Sequence, residues 1–411
     1  MRVKSEEDRT VWPDYVAVIG GGRWARVLIE VICSITPKSV KISVHSPRNF
    51  TAMAGWVVTC GLENRIRVYS DYPKPIAGKK GAVVVVNAAH DHERAIEWAL
   101  YQRLPVLVEK PVTLSFSATQ RMVDLANNQN TYLATAHVFL FASYIETFSK
   151  LVSNENAIVS IRVFWSDPQN ESRYGETKNY DSGLPIYADW LPHIISILDA
   201  FTIGPAILSE DISFFRGGAH LKINLLYGQI PCQIELARNH NSRQRIIEVN
   251  TEKKKITLDF SREPGVIFIN AKELCGDREW DHKPKPVSNM LSAFLQTAAG
   301  GSCDVRLDHS IGLSASQLID QTTTFYRAAL LPWLNSELEK HPDTISSDLR
   351  YALAEILQMN DSASIVPIEQ RINYLYRNLK EFILTSNDTT IKRIDDAVNL
   401  IIKQGKNTSY L

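Results

Sequence analysis

Apolar and polar positions divide the chain into stretches of different rhythm. In the first, short apolar runs alternate with segments of helical period. Tyr15-Val-Ala-Val-Ile19, Gly81–Val86 and Pro105–Val108 read as strands buried on both faces; Val40–Val44, Ile66–Tyr69 and Thr131–Thr135 complete a set of six. Helical segments lie at Trp24–Thr36, about 91–103 and about 115–128. This alternation over residues 15–136 predicts a parallel, doubly wound sheet with right-handed crossovers.

Beyond residue 136 the rhythm changes. Ala157–Trp165 and the runs at 209–215, 219–226, 230–237, 244–250, 254–260 and 265–270 alternate with period two. They predict an α+β domain with an open, mainly antiparallel sheet, joined by helices near 139–153, 187–201, 288–299 and 309–330. The polar stretch Ser166–Gly183 reads as a loop and a candidate lid carrying Arg173, Tyr174, Lys178 and Tyr180. Pro332 and Glu337–Pro342 read as a linker. Past 346 two apolar stripes, Leu349/Leu353/Ile356/Leu357 and Ile372/Leu375/Leu379/Ile383, predict a helical extension. The expected organisation is an arm (1–14), an α/β domain (15–136), an α+β domain (137–335) and the extension (336–411).

Composition narrows the function. A chain of 411 residues suits two packed domains. Lys+Arg and Asp+Glu both number 45, so the basic excess that counterion release on nucleic acid requires is missing. No apolar run approaches the roughly 18 residues of a membrane span. The charged start lacks the apolar core of a secretory signal, and five scattered cysteines without a CxxC read as reduced thiols. The expectation is a cytoplasmic protein without a metal site; His220, His240 and His282 have no ligand spacing.

Gly20-Gly-Gly22-Arg-Trp-Ala25 fits G-x-G-x-x-A between a buried strand and a helix, the setting in which that motif binds a dinucleotide. Gly20 permits the tight turn, Gly22 lets a pyrophosphate approach the backbone, and Ala25 keeps the helix close to the strand. The first helical turn, with Arg23 and Trp24, offers amides and the positive end of the helix dipole. The second strand ends in Val44-His45-Ser46-Pro47-Arg48-Asn49, with no carboxylate for the ribose hydroxyls. Ser46 and Arg48 suit a 2′-phosphate instead, which favours NADP over NAD.

Val108-Glu-Lys-Pro111, Asn87-Ala-Ala-His-Asp-His92 and Asp181–His193, in this setting, together resemble motifs of the Gfo/Idh/MocA oxidoreductases, the glucose–fructose oxidoreductase and inositol dehydrogenase family. Val108-Glu-Lys-Pro111 is similar to that family's EKP motif, and Asn87-Ala-Ala-His-Asp-His92 to its cofactor-facing loop. Asp181–His193 resembles its approach to a D-x-x-x-H helix. The resemblance covers about 14–330 and implies that Lys110, Asp189 and His193 form the catalytic group. It implies further cofactor contacts from Asn87, Ala88, His90, His92, Glu109 and Lys110. The chemistry of these residues agrees. Asp189 and His193 are four apart, on one helix face. An imidazole exchanges a proton near neutral pH, and an ammonium at the carboxyl end of a parallel strand polarises a reacting oxygen or nitrogen.

The expected activity is hydride transfer between nicotinamide and a carbonyl, hydroxyl or imine carbon, in the manner of a biosynthetic reductase. A non-catalytic dinucleotide-binding module, and a lyase or hydrolase with retained cofactor, are the alternatives. His137–Ala142 is apolar where the family commonly carries Arg or Asn, and Pro192 interrupts the D-x-x-x-H helix pattern. Phe139, Phe141 and Trp165 are candidate walls for a less polar, ring-containing or carrier-bound substrate, or else ordinary core. An open sheet predicts a homodimer or tetramer, and the C-terminal helices could meet a biosynthetic partner protein.

Overall fold

The computed structural model describes residues 11–155, 157–169, 172–173, 176–177, 183–202, 204–208, 212–274, 277, 279–340, 344–360 and 367–385. Along the chain come β1 (Tyr15–Ile19), α1 (Arg23–Ile35), β2 (Lys41–His45), α2 (Phe50–Thr59), β3 (Ile66–Tyr69), β4 (Gly81–Val85), α3 (His92–Tyr101), β5 (Val106–Val108), α4 (Phe116–Asn128), β6 (Leu133–Thr135) and α5 (Ser143–Ser153). There follow β7 (Ile158–Pro168), β8 (Ser172–Arg173), β9 (Glu176–Thr177), α6 (Ile186–Asp199), β10 (Ala206–Leu208), β11 (Ser213–Phe215), β12 (His220–Tyr227), β13 (Ile230–His240), β14 (Gln244–Thr251), β15 (Lys255–Asp259), β16 (Val266–Ile269) and β17 (Lys272–Leu274). Among the described residues four helices follow: α7 (Pro286–Ala298), α8 (His309–Lys340), α9 (Ser347–Asn360) and α10 (Ile368–Thr385).

Two compact units result, each built from separated segments. One holds 1–151, 192–201 and 275–317; the other holds 152–191, 202–274 and 318–411. In the first unit six parallel strands lie in the order β3-β2-β1-β4-β5-β6, with Val18 paired to Val44 on one side and Val84 on the other. Alternate residues of β1 feed opposite faces, as a pleated strand requires. Val16 and Val18 pack with Leu28, Ile29 and Ile32 of α1 and with Met290, Leu291, Phe294 and Leu295 of α7. Tyr15, Ala17 and Ile19 pack with Ala95, Ile96 and Ala99 of α3 and Met122 and Val123 of α4. Strand order reverses between β1 and β4, which opens a ligand crevice at their carboxyl ends.

The second unit carries a nine-stranded sheet in the order β10-β12-β13-β7-β14-β15-β16-β17, with β11 against β12. All its pairs are antiparallel except β13 with β7. Ile161, Val163 and Trp165 of β7, Cys232, Ile234 and Leu236 of β13, and Ile247 and Val249 of β14 form its buried face. The other face is mixed rather than apolar, with ion pairs such as Lys222–Glu235 and Lys255–Glu248.

Several elements depart from the sequence expectation. No helix was expected at α2: its residues mix Gly55 with β-branched Val57, Val58 and Thr59, and exposed Phe50 and Val58 blur any apolar stripe. The linker expected at Pro332 and Glu337 is instead the last third of α8, which runs unbroken to Lys340. Pro332 sits on the exposed side of that helix, where the carbonyl of Ala328, also exposed, can bond water in place of the missing N–H. Pro192 is likewise carried inside α6. Of the strand expected at 209–215, Ser213–Phe215 form β11 and positions 209–211 lie outside the described residues, while β10 at Ala206–Leu208 precedes the expected run. Tyr174, Lys178 and Tyr180 of the candidate lid also lie outside them. Among the described residues, no helix is long and apolar enough to cross a membrane.

Candidate active site

The glycine turn closes β1 at the strand-order reversal. Gly20 has φ +145°, and a Cβ there would stand 2.7 Å from the Val86 carbonyl carbon and oxygen. The turn is therefore packed against the end of β4 as only glycine allows. Gly21 backs onto Ser46, whose Oγ lies 1.9 Å from where a Cβ would be. Gly22 precedes α1 with φ −82° and ψ −178°, is exposed, and a Cβ would meet nothing within 4 Å. That open space lies directly before helix amides that have no side-chain cap. Ala25 is fully buried against the sheet, as expected, and Arg23 and Trp24 are half-buried in the first turn.

Polar atoms around this turn are placed for a ligand. Ser46 Oγ and Asn87 Oδ1 are buried and have no hydrogen-bond partner in the protein. The Asn87 amide donates to the Asp91 carbonyl at 3.3 Å, so its other end is left over. Buried orphan acceptors of this kind cost free energy unless something fills them. Open backbone at Gly22 with orphans at Ser46 and Asn87 fits a dinucleotide.

Arg48 is exposed and stands 3.7 Å from Asp91, whose carboxylate also has His90 Nε2 at 3.4 Å. A carboxylate therefore shares the ground that the sequence assigns to a 2′-phosphate. Ala88 opens the short turn Ala89–Asp91 and is half-buried. His92 does not face a ligand. It is fully buried, with Nδ1 2.8 Å from the Pro111 carbonyl and Nε2 3.1 Å from the Asn87 carbonyl. Its role is to tie the loop after β4 to the loop after β5, and burial lowers its pKa against the pull of those carbonyls.

Glu109 and Lys110 follow β5. Trp24 Nε1 donates to Glu109 Oε1 at 2.7 Å, across 85 residues of sequence. Glu109 Oε2 accepts from the Lys110 amide at 3.3 Å. The loop bearing Lys110 is thus fastened to the first turn of α1, and its Lys110–Pro111 peptide is cis.

Helix α6 carries Asp189 in its first turn and His193 one turn later. The His193 ring meets Phe139 edge-on, centroids 5.0 Å apart and planes at 84°. Phe139 is thus a wall beside the candidate proton carrier. Phe141 is buried under Arg306, and Trp165 is core, with Phe260 on one side and the Arg245 guanidinium at 4.4 Å. Both side chains are buried in core packing. His137 is buried, with no partner for either ring nitrogen in the protein, and burial pushes it down to about 3.

Two features escaped the sequence reading. His45, Tyr72 and Trp98 stack in a ladder at the end of β2, with centroids 4.3 and 4.7 Å apart. Arg238 donates to Asp189 Oδ2 at 3.0 Å from the buried face of β13. A cation in phase with Cys232, Ile234 and Leu236 was the signal for the latter.

Residues 15–137 match the model of the Gfo/Idh/MocA family, described as an oxidoreductase family with an NAD-binding Rossmann fold. No curated protein matches the chain. Solved structures share the fold. UDP-N-acetylglucosamine 3-dehydrogenase from Acidithiobacillus ferrooxidans is 16% identical, covers 77% of this chain and 98% of its own, and has a TM-score of 0.63. A 3-ketoreductase from Actinomadura kijaniata, in complex with TDP-benzene and NADP, is 16% identical over 76% of this chain and 97% of its own, TM-score 0.60. Biliverdin reductase from Synechocystis, in complex with biliverdin and NADP+, is 15% identical over 76% and 99%, TM-score 0.58.

Proposed function

We propose that this chain, whose residues 15–137 match the model of the Gfo/Idh/MocA oxidoreductases, is an NAD(P)-dependent oxidoreductase that reduces a ketone or imine on a ring-containing, carrier-linked substrate in biosynthesis. The observation that carries the reading is the Trp24–Glu109 hydrogen bond, which fastens the loop of Lys110 to the dinucleotide turn. Gly20, Gly22, Ala25 and the amides at Arg23 and Trp24 hold the pyrophosphate, and Ser46 and Arg48 hold the ribose end as NADP. Asn87, Ala88 and His90 line the next loop, and His92 braces it. When bound, the dinucleotide supplies the hydride.

The chain's own groups handle the proton and the polarisation. Lys110 Nζ draws electron density from the reacting oxygen or nitrogen. His193 gives up a proton to that heteroatom, and Asp189, one turn earlier on α6, orients the substrate beside it. Phe139, against the His193 ring, excludes water from the proton donor. Relatives of this fold named for the 3-position of a nucleotide sugar, and one bound to TDP-benzene, support a carrier-linked ring; biliverdin reductase supports a less polar one. Assembly as a homodimer or tetramer through the nine-stranded sheet belongs to the same proposal and is read by light scattering.

The test is NADPH and NADH oxidation, followed at 340 nm, against nucleotide-linked 3-ketohexoses, cyclic imines and biliverdin. One class should turn over, and Lys110→Met should cut kcat by about a hundredfold or more while dinucleotide affinity stays within a few-fold. Turnover undiminished in Lys110→Met would remove Lys110 from the chemistry. Absence of saturable dinucleotide binding would end the reading.

A further inference from the structure

The C-terminal extension is not a loose appendage. Helix α9 buries Leu349, Tyr351, Ala352, Leu353, Ile356 and Leu357 within its own unit, so its apolar stripe is already covered. It is seated on the turn before β12. A Cβ at Gly217 would lie 2.2 Å from the Asp348 carbonyl oxygen and 3.2 Å from Ala352. A Cβ at Gly218 would lie 2.1 Å from the Tyr326 hydroxyl. Arg216 adds an ion pair to Asp348 at 3.6 Å.

From this seat α9 sends two polar side chains inward. Arg238 donates to the Tyr351 hydroxyl oxygen at 3.3 Å and to Asp189 Oδ2 at 3.0 Å. The Tyr351 hydroxyl is also bonded to Glu355, and Glu355 accepts from the Tyr326 hydroxyl of α8. Arg238, Tyr351 and Glu355 are all buried; the Asp189 side chain alone reaches solvent, at 23% exposure. Across the Trp190 ring lies a second buried cation, Arg245, paired with Asp167. The groups facing Asp189 and its partner are therefore Arg238, Tyr351, Glu355 and Tyr326, with Arg245 and Asp167 beyond Trp190.

We propose that α9 sets the active-site aspartate: Tyr351 and Glu355 fix the Arg238 guanidinium, and Arg238 fixes the Asp189 carboxylate, making Arg238 and Tyr351 positioning residues for catalysis. This rests on the reading that places Asp189 in the catalytic group. Arg238 cannot point elsewhere without leaving a buried guanidinium unpaired, so its two anchors determine where the carboxylate stands. A rigid outer shell of this kind is what holds a reactive group in productive geometry.

The experiment uses the full chain with Tyr351→Phe, Arg238→Lys and Asp189→Asn. It reads steady-state turnover on the substrate class that responds above. It also reads, without any substrate, the 13C NMR titration of labelled aspartate carboxylates, in which loss of a resonance in Asp189→Asn identifies Asp189. Tyr351→Phe removes one hydroxyl and should fold. It should lower kcat about five- to tenfold with KM for the dinucleotide unchanged, and move the Asp189 titration upward by about half a unit. Arg238→Lys should do both more strongly. Unaltered titration and unaltered kcat in folded Tyr351→Phe and Arg238→Lys would overturn the proposal. Full activity in Asp189→Asn would instead refute the catalytic reading, while the titration still judges whether α9 governs that carboxylate.

Discussion

Adding one methyl group to each glycine of the β1–α1 turn in succession gives three different outcomes, each set by what the new Cβ would touch. At Gly20 the Cβ would stand 2.7 Å from the Val86 carbonyl and 2.9 Å from the Asn87 amide nitrogen, all backbone, at φ +145°. Neither strand end can yield, and Gly20→Ala should lose about 3 kcal/mol or more of stability. At Gly21 the obstacle is the buried Ser46 side chain, and the loss should be about 1–3 kcal/mol. At Gly22 the backbone is ordinary and the space is open. Gly22→Ala should fold as well as the parent, or gain about 0.5 kcal/mol from a stiffer unfolded chain. Its effect falls on the ligand. A methyl before α1 keeps the pyrophosphate off the helix amides, and losing two hydrogen bonds to a charged group at about 1.5 kcal/mol each weakens binding roughly a hundredfold. Thermal unfolding by circular dichroism reads the first quantity, and NADPH fluorescence titration the second. If Gly22→Ala bound NADPH within twofold of the parent, the turn would not cradle a pyrophosphate. If Gly20→Ala melted with the parent, the packing of the turn on β4 would be wrong.

Two further outcomes follow from charges. Burial pushes the Asp199 carboxyl at the end of α6 up to about 7, so the folded protein holds a proton there that the unfolded chain releases above about 4. Stability from this group therefore falls as pH rises from about 4 to 7 and then levels. Asp199→Asn should flatten that slope and stabilise the protein at pH 8 by on the order of 2 kcal/mol; parallel melting curves across pH 5–8 would refute it. Arg48→Ala should weaken NADPH roughly tenfold and leave NADH unchanged, measured by fluorescence titration. Equal losses for both dinucleotides would show that Arg48 does not meet a 2′-phosphate.

What the sequence made legible follows the range of the forces involved. β1 and the glycine turn are local: an apolar run and three glycines specify them, and β1 lies where the pattern placed it, as does β3. The strands of the second sheet were legible for the same reason, since alternation is a two-residue rule. Helix α2 was not, because a helix whose neighbours cover it unevenly leaves no stripe. His92 misled by its company: its motif resembles a cofactor-facing loop, but its own ring lies between two carbonyls, Asn87 and Pro111, that only the folded loops bring together. The Arg238–Tyr351–Glu355 chain was out of reach for the same cause. Arg238 and Tyr351 are 113 residues apart, and no periodicity joins them. Only the parity of Arg238 with three buried side chains betrayed that it points inward.

The first core is closed by a helix that arrives late. Met290, Leu291, Phe294 and Leu295 of α7 are as much a part of it as β1 and α1. A polypeptide growing on the ribosome must wait until residue 298 of 411 has been made before that face of the sheet is covered. Until then the part of that core that α7 covers is open to chaperones, and a fragment cut after residue 151 would remain in that state. Anyone wishing to graft this nucleotide-binding half onto another protein has to carry α7 with it.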